Sequence, residues 1–266
     1  MKLHFRSFCL PLLLLPICLS PLHAQPTAAD YLDSGNTKAA RGDLAGAISE
    51  YDSAIGLDPN QAEAFYDRGA AKSKMGDPDG AIADFDQAIT LNPKFAAAFT
   101  NRGLAKGAKD DPEGAIADFD RAIALDPDDA IAYYNRGRAK KTLGDLDGTV
   151  ADYDRAIKLK PDFAMAFVNR GVAKEAQEHH DAAIADYDQA IKLNPKFAPA
   201  FYNRGVAKEA KGDLAGAVAD YNRTVAIDPR YVSAYRKLAS TSRKQGNEAA
   251  AKAADAMIAK LSGSRK

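Results

Sequence analysis

The sequence predicts an all-α protein built as a linear stack of helix pairs, and three observations carry that prediction. Prolines recur every 34 residues, at Pro59, Pro93, Pro127, Pro161, Pro195 and Pro229. Glycines keep the same interval at Gly35, Gly69, Gly103, Gly137, Gly171 and Gly205. Two aromatic series share it, one from Tyr51 to Tyr221 and one from Tyr31 to Tyr235. A fixed period of this size marks a repeat architecture, in which each unit buries its apolar face only by stacking on its neighbours.

Residues 1–24 stand apart from the repeats. Lys2 and Arg6 make a basic start, Phe8 to Leu19 is an apolar run of 12 residues, and "SPLHA" ends in a small residue at Ala24. This is the layout of a cleavable secretory signal peptide, and the run is too short to span a bilayer. An uncleaved interfacial anchor is the alternative. Cys9 and Cys18 both fall in this segment, so the mature chain is expected to have no thiol or disulfide. Losing Lys2 and Arg6 takes the basic count from 36 to 34 against 36 acidic residues, a net of −2. So even a balance provides no global field favouring nucleic acid or a membrane surface. The expected place is therefore periplasmic or secreted, with no membrane insertion after signal removal.

Six full units follow, 28–61, 62–95, 96–129, 130–163, 164–197 and 198–231, then a degenerate seventh at 232–261. Each reads as two helices. In the fourth unit "AIAYYNRGRAKKTL" lacks proline and ends at Gly144, a residue suited to the left-handed helix stop. Asp145 then stands as the N-cap of a second helix. Two other units read Asp77-Pro78 and Asp111-Pro112 here, and proline suits a first helical position. The second helix, "LDGTVADYDRAIKL", stops before Pro161. Gly137 lies within the first helix, where glycine costs about 1 kcal/mol against alanine. A cost repeated in six units points to helices touching where the side chain is missing, with Tyr153 filling the space between them.

These features are similar to the tetratricopeptide repeat. The fourth unit supplies Tyr133, Gly137, Thr149, Tyr153, Ala156 and Pro161 in that family's order, and the match covers nearly all of the chain after residue 24. Thr149 and Thr224 stand where the family prefers alanine, which suggests slightly looser packing, and Arg replaces the family's frequent Leu before the glycine. The resemblance implies a right-handed superhelix whose first helices line a concave groove. The last unit has Asp255 in place of the inter-helix aromatic, and its final helix reads as a solenoid cap. "SGSRK", 262–266, reads as a flexible tail.

With the register taken from the family, the sixth position of each unit falls on the inner face. It holds Asn101, Asn135, Asn169 and Asn203 in four consecutive units. An amide donates and accepts, so a ladder of them matches the N–H and C=O of an extended peptide. Some long superhelices of the family bind polypeptide in this way. The alternative is that each Asn caps local backbone or contacts the neighbouring unit. Tyr134, Tyr202, Val168, Val172 and Val206, with Ile131 and Met165, are placed around the ladder as acceptors of ligand side chains. The family's two-carboxylate clamp needs Lys at the second and fifth positions, which hold none here.

Arg68, Arg102, Arg136, Arg170 and Arg204 recur opposite Asp84, Asp118, Asp152, Asp186 and Asp220, which suggests an inter-helix ladder of exposed ion pairs worth about 0–1 kcal/mol each. His179-His180 reads as a solvated turn where other units have Gly-Asp, not as a metal site. No unit has a unique acid, nucleophile or phosphate loop, so neither an enzyme nor a cofactor is expected. The expected function is an exported scaffold binding an extended peptide or partner protein in its groove. The alternative is an assembly component using its outer surface or forming a homo-oligomer.

Overall fold

The computed structural model describes residues 25–263 as 14 α-helices, with no strand among them. The first helices of the units are α1 (Ala28–Ala40), α3 (Ala62–Lys74), α5 (Ala96–Ala108), α7 (Ala130–Thr142), α9 (Ala164–Ala176), α11 (Ala198–Ala210) and α13 (Val232–Lys244). The second helices are α2 (Leu44–Leu57), α4 (Pro78–Leu91), α6 (Pro112–Leu125), α8 (Leu146–Leu159), α10 (His180–Leu193), α12 (Leu214–Ile227) and α14 (Glu248–Gly263). Each helix packs on its sequence neighbours, and first helices also approach one another across units, as α1–α3, α3–α5, α5–α7 and α9–α11. Residues 1–24, read above as a signal peptide, lie outside the described residues.

Local chemistry starts and stops the helices where the spacing says it should. Asp43, Asp77, Asp111, Asp145 and Asp213 each accept the backbone N–H three residues on, at 2.8 to 2.9 Å. That pairs one orphan donor of each helix start. The turn between paired helices needs one residue in the left-handed region. Gly42, Gly76, Gly144, Gly212 and Gly246 supply it with φ of 75° to 85°.

Close approach explains the glycines inside the first helices. A Cβ on Gly171 would lie 2.6 Å from Tyr187 Cε1, and one on Gly205 2.7 Å from Tyr221 Cε1. The aromatic ring occupies the volume of the missing methyl. Tyr51, Phe85, Phe119, Tyr153, Tyr187 and Tyr221 are all fully buried this way, each flanked by buried alanines. Truncating such a ring to Ala typically costs about 3–5 kcal/mol.

Two expectations are corrected. Thr149 and Thr224 do not loosen the packing: both are fully buried. Thr149 Oγ1 donates to the Asp145 carbonyl at 2.6 Å, and Thr224 Oγ1 to the Asp220 carbonyl at 2.9 Å. An extra methyl and a satisfied hydroxyl fill the site that alanine holds elsewhere. At the other end, the "SGSRK" segment is not all tail, because α14 continues through Gly263. Residues 264–266 lie outside the described residues. The cap itself forms, with Ile258 and Leu261 packed beside Met257 against Tyr235 and Leu238.

Candidate functional site

The first-helix face holds the candidate site, and what its asparagines touch decides what they can do. They do not make a uniform ladder. Asn101 Nδ2 donates to the Tyr66 hydroxyl at 2.8 Å and Asn169 Nδ2 to the Tyr134 hydroxyl at 2.7 Å, each in the preceding unit. Asn135 Nδ2 instead donates to the Ile131 carbonyl, and Asn203 Nδ2 to the Pro199 carbonyl, both at 2.9 Å. Neighbour contact and local backbone bonding therefore alternate along the stack. The amide oxygens of Asn101, Asn169 and Asn203 have no hydrogen-bond partner among the described residues, while that of Asn135 accepts from Arg138 at 3.3 Å.

The alternation follows a second period of 68 residues. Tyr66, Tyr134 and Tyr202 are spaced by it, and they occupy the same place in every second unit. Each joins a three-ring cluster: Tyr134 lies 5.6 Å from Tyr153 and 4.7 Å from Phe163, centroid to centroid. Tyr202 sits likewise between Tyr221 and Tyr231. The tyrosines are thus half-buried supports. Val168 is buried in the core around Tyr187, where it cannot meet a ligand, and that position is corrected from groove to interior. Val172 and Val206 are partly buried and pack against core clusters. The large apolar side chains that do stand open on this face are Leu104, Ile131 and Met165, 37%, 42% and 41% exposed.

Between α5 and α7 the face opens into a cleft of about 460 Å³. Gly103, Leu104, Gly107 and Ala108 form one wall, Asn135, Arg138, Ala139 and Thr142 the other, and Ala115 and Phe119 the floor. Gly107 was missed in the sequence reading. Its signal was a broken repeat: the equivalent residues are Ser73, Lys141, Glu175 and Glu209. A Cβ there would meet only Ala115 Cβ at 3.9 Å, so packing does not demand glycine.

The arginine series is paired as expected but not exposed. Arg170 Nε and Nη2 donate to both oxygens of Asp186 at 2.9 and 2.5 Å, and its Nη1 reaches Asp154 of the preceding unit at 2.6 Å. Lys174 Nζ adds a bond to Asp186 at 2.8 Å, and the Arg170 guanidinium lies 5.3 Å from the Phe167 ring centre. Arg68, Arg102, Arg136 and Arg204 repeat this arrangement. The inner carboxylates are only 4–6% exposed, so the pairs are interior struts that fix each unit against the last. The arginines are consequently spent within the fold.

The histidines are shifted by one position from the expected register. Glu178-His179 stands where other units have Gly-Asp, and His180 begins α10. His180 Nδ1 lies 3.1 Å from a Glu175 oxygen. No cluster of metal-ligating residues occurs among the described residues. Nor is any described helix long and apolar enough to cross a membrane.

A stack of helix pairs whose first helices offer a continuous, partly apolar face defines a helical-repeat interaction scaffold. The chain belongs to the tetratricopeptide repeat family: models of that repeat match residues 35–76 and 108–144, 62–95, and 134–196 with 168–232. Among solved structures it resembles MamA, at 31% identity over 62% of this chain and 96% of that one, with a TM-score of 0.58. It also resembles YrrB, described as a repeat protein of this family with an unusual peptide-binding site. That likeness is 25% identity over 65% of this chain and 89% of that one, TM-score 0.56. PilW, a type IV pilus biogenesis factor, shares the fold at 21% identity over 78% and 96% of the chains, TM-score 0.70. None of the curated proteins matches the chain.

Proposed function

We propose that this protein is an exported scaffold that binds an extended segment of a partner protein along its first-helix face, and that it is not an enzyme. The observation that supports this reading is the cleft between α5 and α7, which Leu104 lines, together with the exposed Ile131 and Met165 on the next two first helices. Leu104, Ile131 and Met165 rise from successive first helices and offer contact area where the polar series are already paired. The free amide oxygens of Asn101, Asn169 and Asn203 are acceptors for the N–H groups of an extended chain. In this form the asparagines contribute three spaced acceptors rather than a ladder of four equal amides. Export rests on the basic start, apolar run and Ala24 boundary of residues 1–24. Sequencing the N-terminus of the protein recovered from the exported fraction tests it: a start at Gln25 is expected, and a start at Met1 overturns it.

A second reading has its own support. Leu57 and Leu193, on second helices, are 58% and 40% exposed, and would suit assembly through the outer surface. One experiment separates the two. A photo-crosslinking residue is placed at Met165 or at Leu193 in the producing cell, with and without Gly107→Leu. Crosslinking from position 165 that Gly107→Leu abolishes is expected. Crosslinking from position 193 alone, insensitive to Gly107→Leu, overturns the groove reading and supports assembly. Because Gly107 has open space around it, the leucine blocks the cleft without disturbing the fold, and its better helix propensity raises the melting temperature rather than lowering it.

A further inference from the structure

The polar cradle between α7 and α9 differs from its counterparts elsewhere in the stack. Tyr153 is fully buried, and its hydroxyl oxygen has no hydrogen-bond partner. Asn169 on α9 stands close enough to favour the ionised form of the Tyr153 hydroxyl, but its Nδ2 makes its short hydrogen bond to Tyr134, at 2.7 Å. Tyr153 borders a cleft of about 320 Å³ together with Arg138, Lys141, Thr142 and Asn169, with its hydroxyl buried beneath the surface. Neither cation there meets a carboxylate. Arg138 donates only to the neutral Asn135 oxygen, at 3.3 Å, and Lys141 has no ion pair, whereas Arg136 on the same helix pairs with both Asp152 and Asp120.

Two units further along, the protein fills the same place itself. Tyr221 and Glu209 are the 68-residue counterparts of Tyr153 and Lys141, and Lys237 is that of Asn169. There the Tyr221 hydroxyl donates to Glu209 Oε2 at 3.0 Å. Lys237 Nζ donates to that oxygen at 3.1 Å and Lys244 Nζ to the other at 2.7 Å. The first unit also satisfies its tyrosine internally, through Tyr51 to Asn36 Oδ1 at 2.8 Å. A buried hydroxyl left without a partner is costly, and the fourth unit alone among these three leaves one. It also carries a cation, Lys141, where the sixth unit carries the acid Glu209.

The geometry points to a carboxylate from outside the chain as the ligand of this cradle: a carboxylate of the peptide that occupies the groove, held by the Tyr153 hydroxyl, Lys141 and Arg138, with Asn169 at its rim. This rests on the groove reading above and adds the ligand chemistry at one point along it. Tyr153 donates its O–H, Lys141 supplies the charge that Lys237 and Lys244 supply to Glu209, and Arg138 has four N–H groups to spare. The second and fifth positions of the units, where the family's carboxylate clamp sits, take no part.

The test uses the purified chain and small probes, followed by NMR shifts of the Arg138 Nε–H and the Asn169 side-chain amide. The probes are N-acetyl-Gly-Asp-Gly amide, its Asn analogue, N-acetyl-triglycine with a free C-terminus, and inorganic phosphate. Saturable shifts with a carboxylate probe, absent with the Asn analogue, are expected. Whichever carboxylate binds tighter tells a side-chain acid from a chain terminus. Lys141→Glu should abolish the shifts by rebuilding the internal plug. Tyr153→Phe should weaken binding by about tenfold, the worth of one hydrogen bond to a charged group. Phe85 and Phe119 hold the equivalent position in other units, so that variant folds. No shift with either carboxylate, equal shifts with the Asn analogue, tighter binding of phosphate, or binding that survives Lys141→Glu each overturns the assignment. If carboxylates bind here yet crosslinking at position 165 finds no partner, the cradle stands and the groove reading falls. If crosslinking succeeds but the cradle ignores carboxylates, the reverse holds.

Discussion

Replacing Glu178 with glycine should make the protein more stable, although it deletes a charged side chain and shortens nothing. Seven turns join first helices to second helices, and five place glycine in the left-handed region. Glu178 adopts the same conformation at φ 61°, and Asp110 at φ 59°. The turn hydrogen bonds are already made by backbone: Glu178 N–H donates to the Glu175 carbonyl and His179 N–H to that of Lys174, both at 2.9 Å. Glycine keeps both bonds. For an L-residue the left-handed conformation costs about 1–2 kcal/mol, and the greater freedom of unfolded glycine returns about 0.5–1 kcal/mol of that. The net gain is about 1 kcal/mol, which in a chain of this size raises the melting temperature by about 2–4 °C. His179→Asn adds to it. His179 makes no side-chain cap, whereas Asn247 caps α14 by accepting the Ala250 N–H at 3.1 Å. Restoring a cap is worth about 1 kcal/mol. Thermal melts measure the total, and hydrogen exchange in α9 and α10 localises it. Asp110→Gly should gain less than Glu178→Gly, because aspartate tolerates the left-handed region better. A lower or unchanged melting temperature for Glu178→Gly, or a larger gain at Asp110, refutes the reasoning.

Gly171→Ala should destabilise by about 1–3 kcal/mol from overpacking against Tyr187, less about 1 kcal/mol of helix propensity. Gly137→Ala should cost less, since its Cβ would lie 3.1 Å from Tyr153 rather than 2.6 Å from Tyr187; paired denaturant titrations rank the two. Glu209 sets a pH response at the C-terminal end of the stack. Burial opposes its ionisation, but bonds from Lys244, Lys237 and Tyr221 prevail and hold its carboxyl at about 2, below the ordinary 4.5. A depressed folded-state value means the contribution is complete above pH 4.5 and is lost as pH falls from there towards 2. Exchange protection in α11 to α13 should therefore fall over that window, and Glu209→Gln should flatten the response. An unchanged profile in that variant refutes the assignment.

How much could be read beforehand differs between fold and site. Period, helix boundaries, caps and the glycine–aromatic contact were all legible, because each follows from a backbone or steric demand made again in every unit. Asp145 must cap, Gly144 must take positive φ, and Gly171 must make room for a ring; no distant residue alters these requirements. The arginine–aspartate pairing was also visible, but its burial was not, since exposure depends on how tightly successive units close over it. The asparagines show the limit most clearly. Four identical residues at one position suggested one role, yet Asn101 and Asn169 turn to a tyrosine 35 residues back, while Asn135 and Asn203 bond their own helix. The difference comes from Tyr66 and Tyr134, present only in alternate units. The sequence alone determined the helix pairs and their order, because the forces that make them are local and repeated. Only the tertiary structure decided which polar groups remain unpaired, because each choice is settled by neighbours from adjacent units. Tyr153 without an acceptor, and Arg138 and Lys141 without an acid, exist only once those units are stacked.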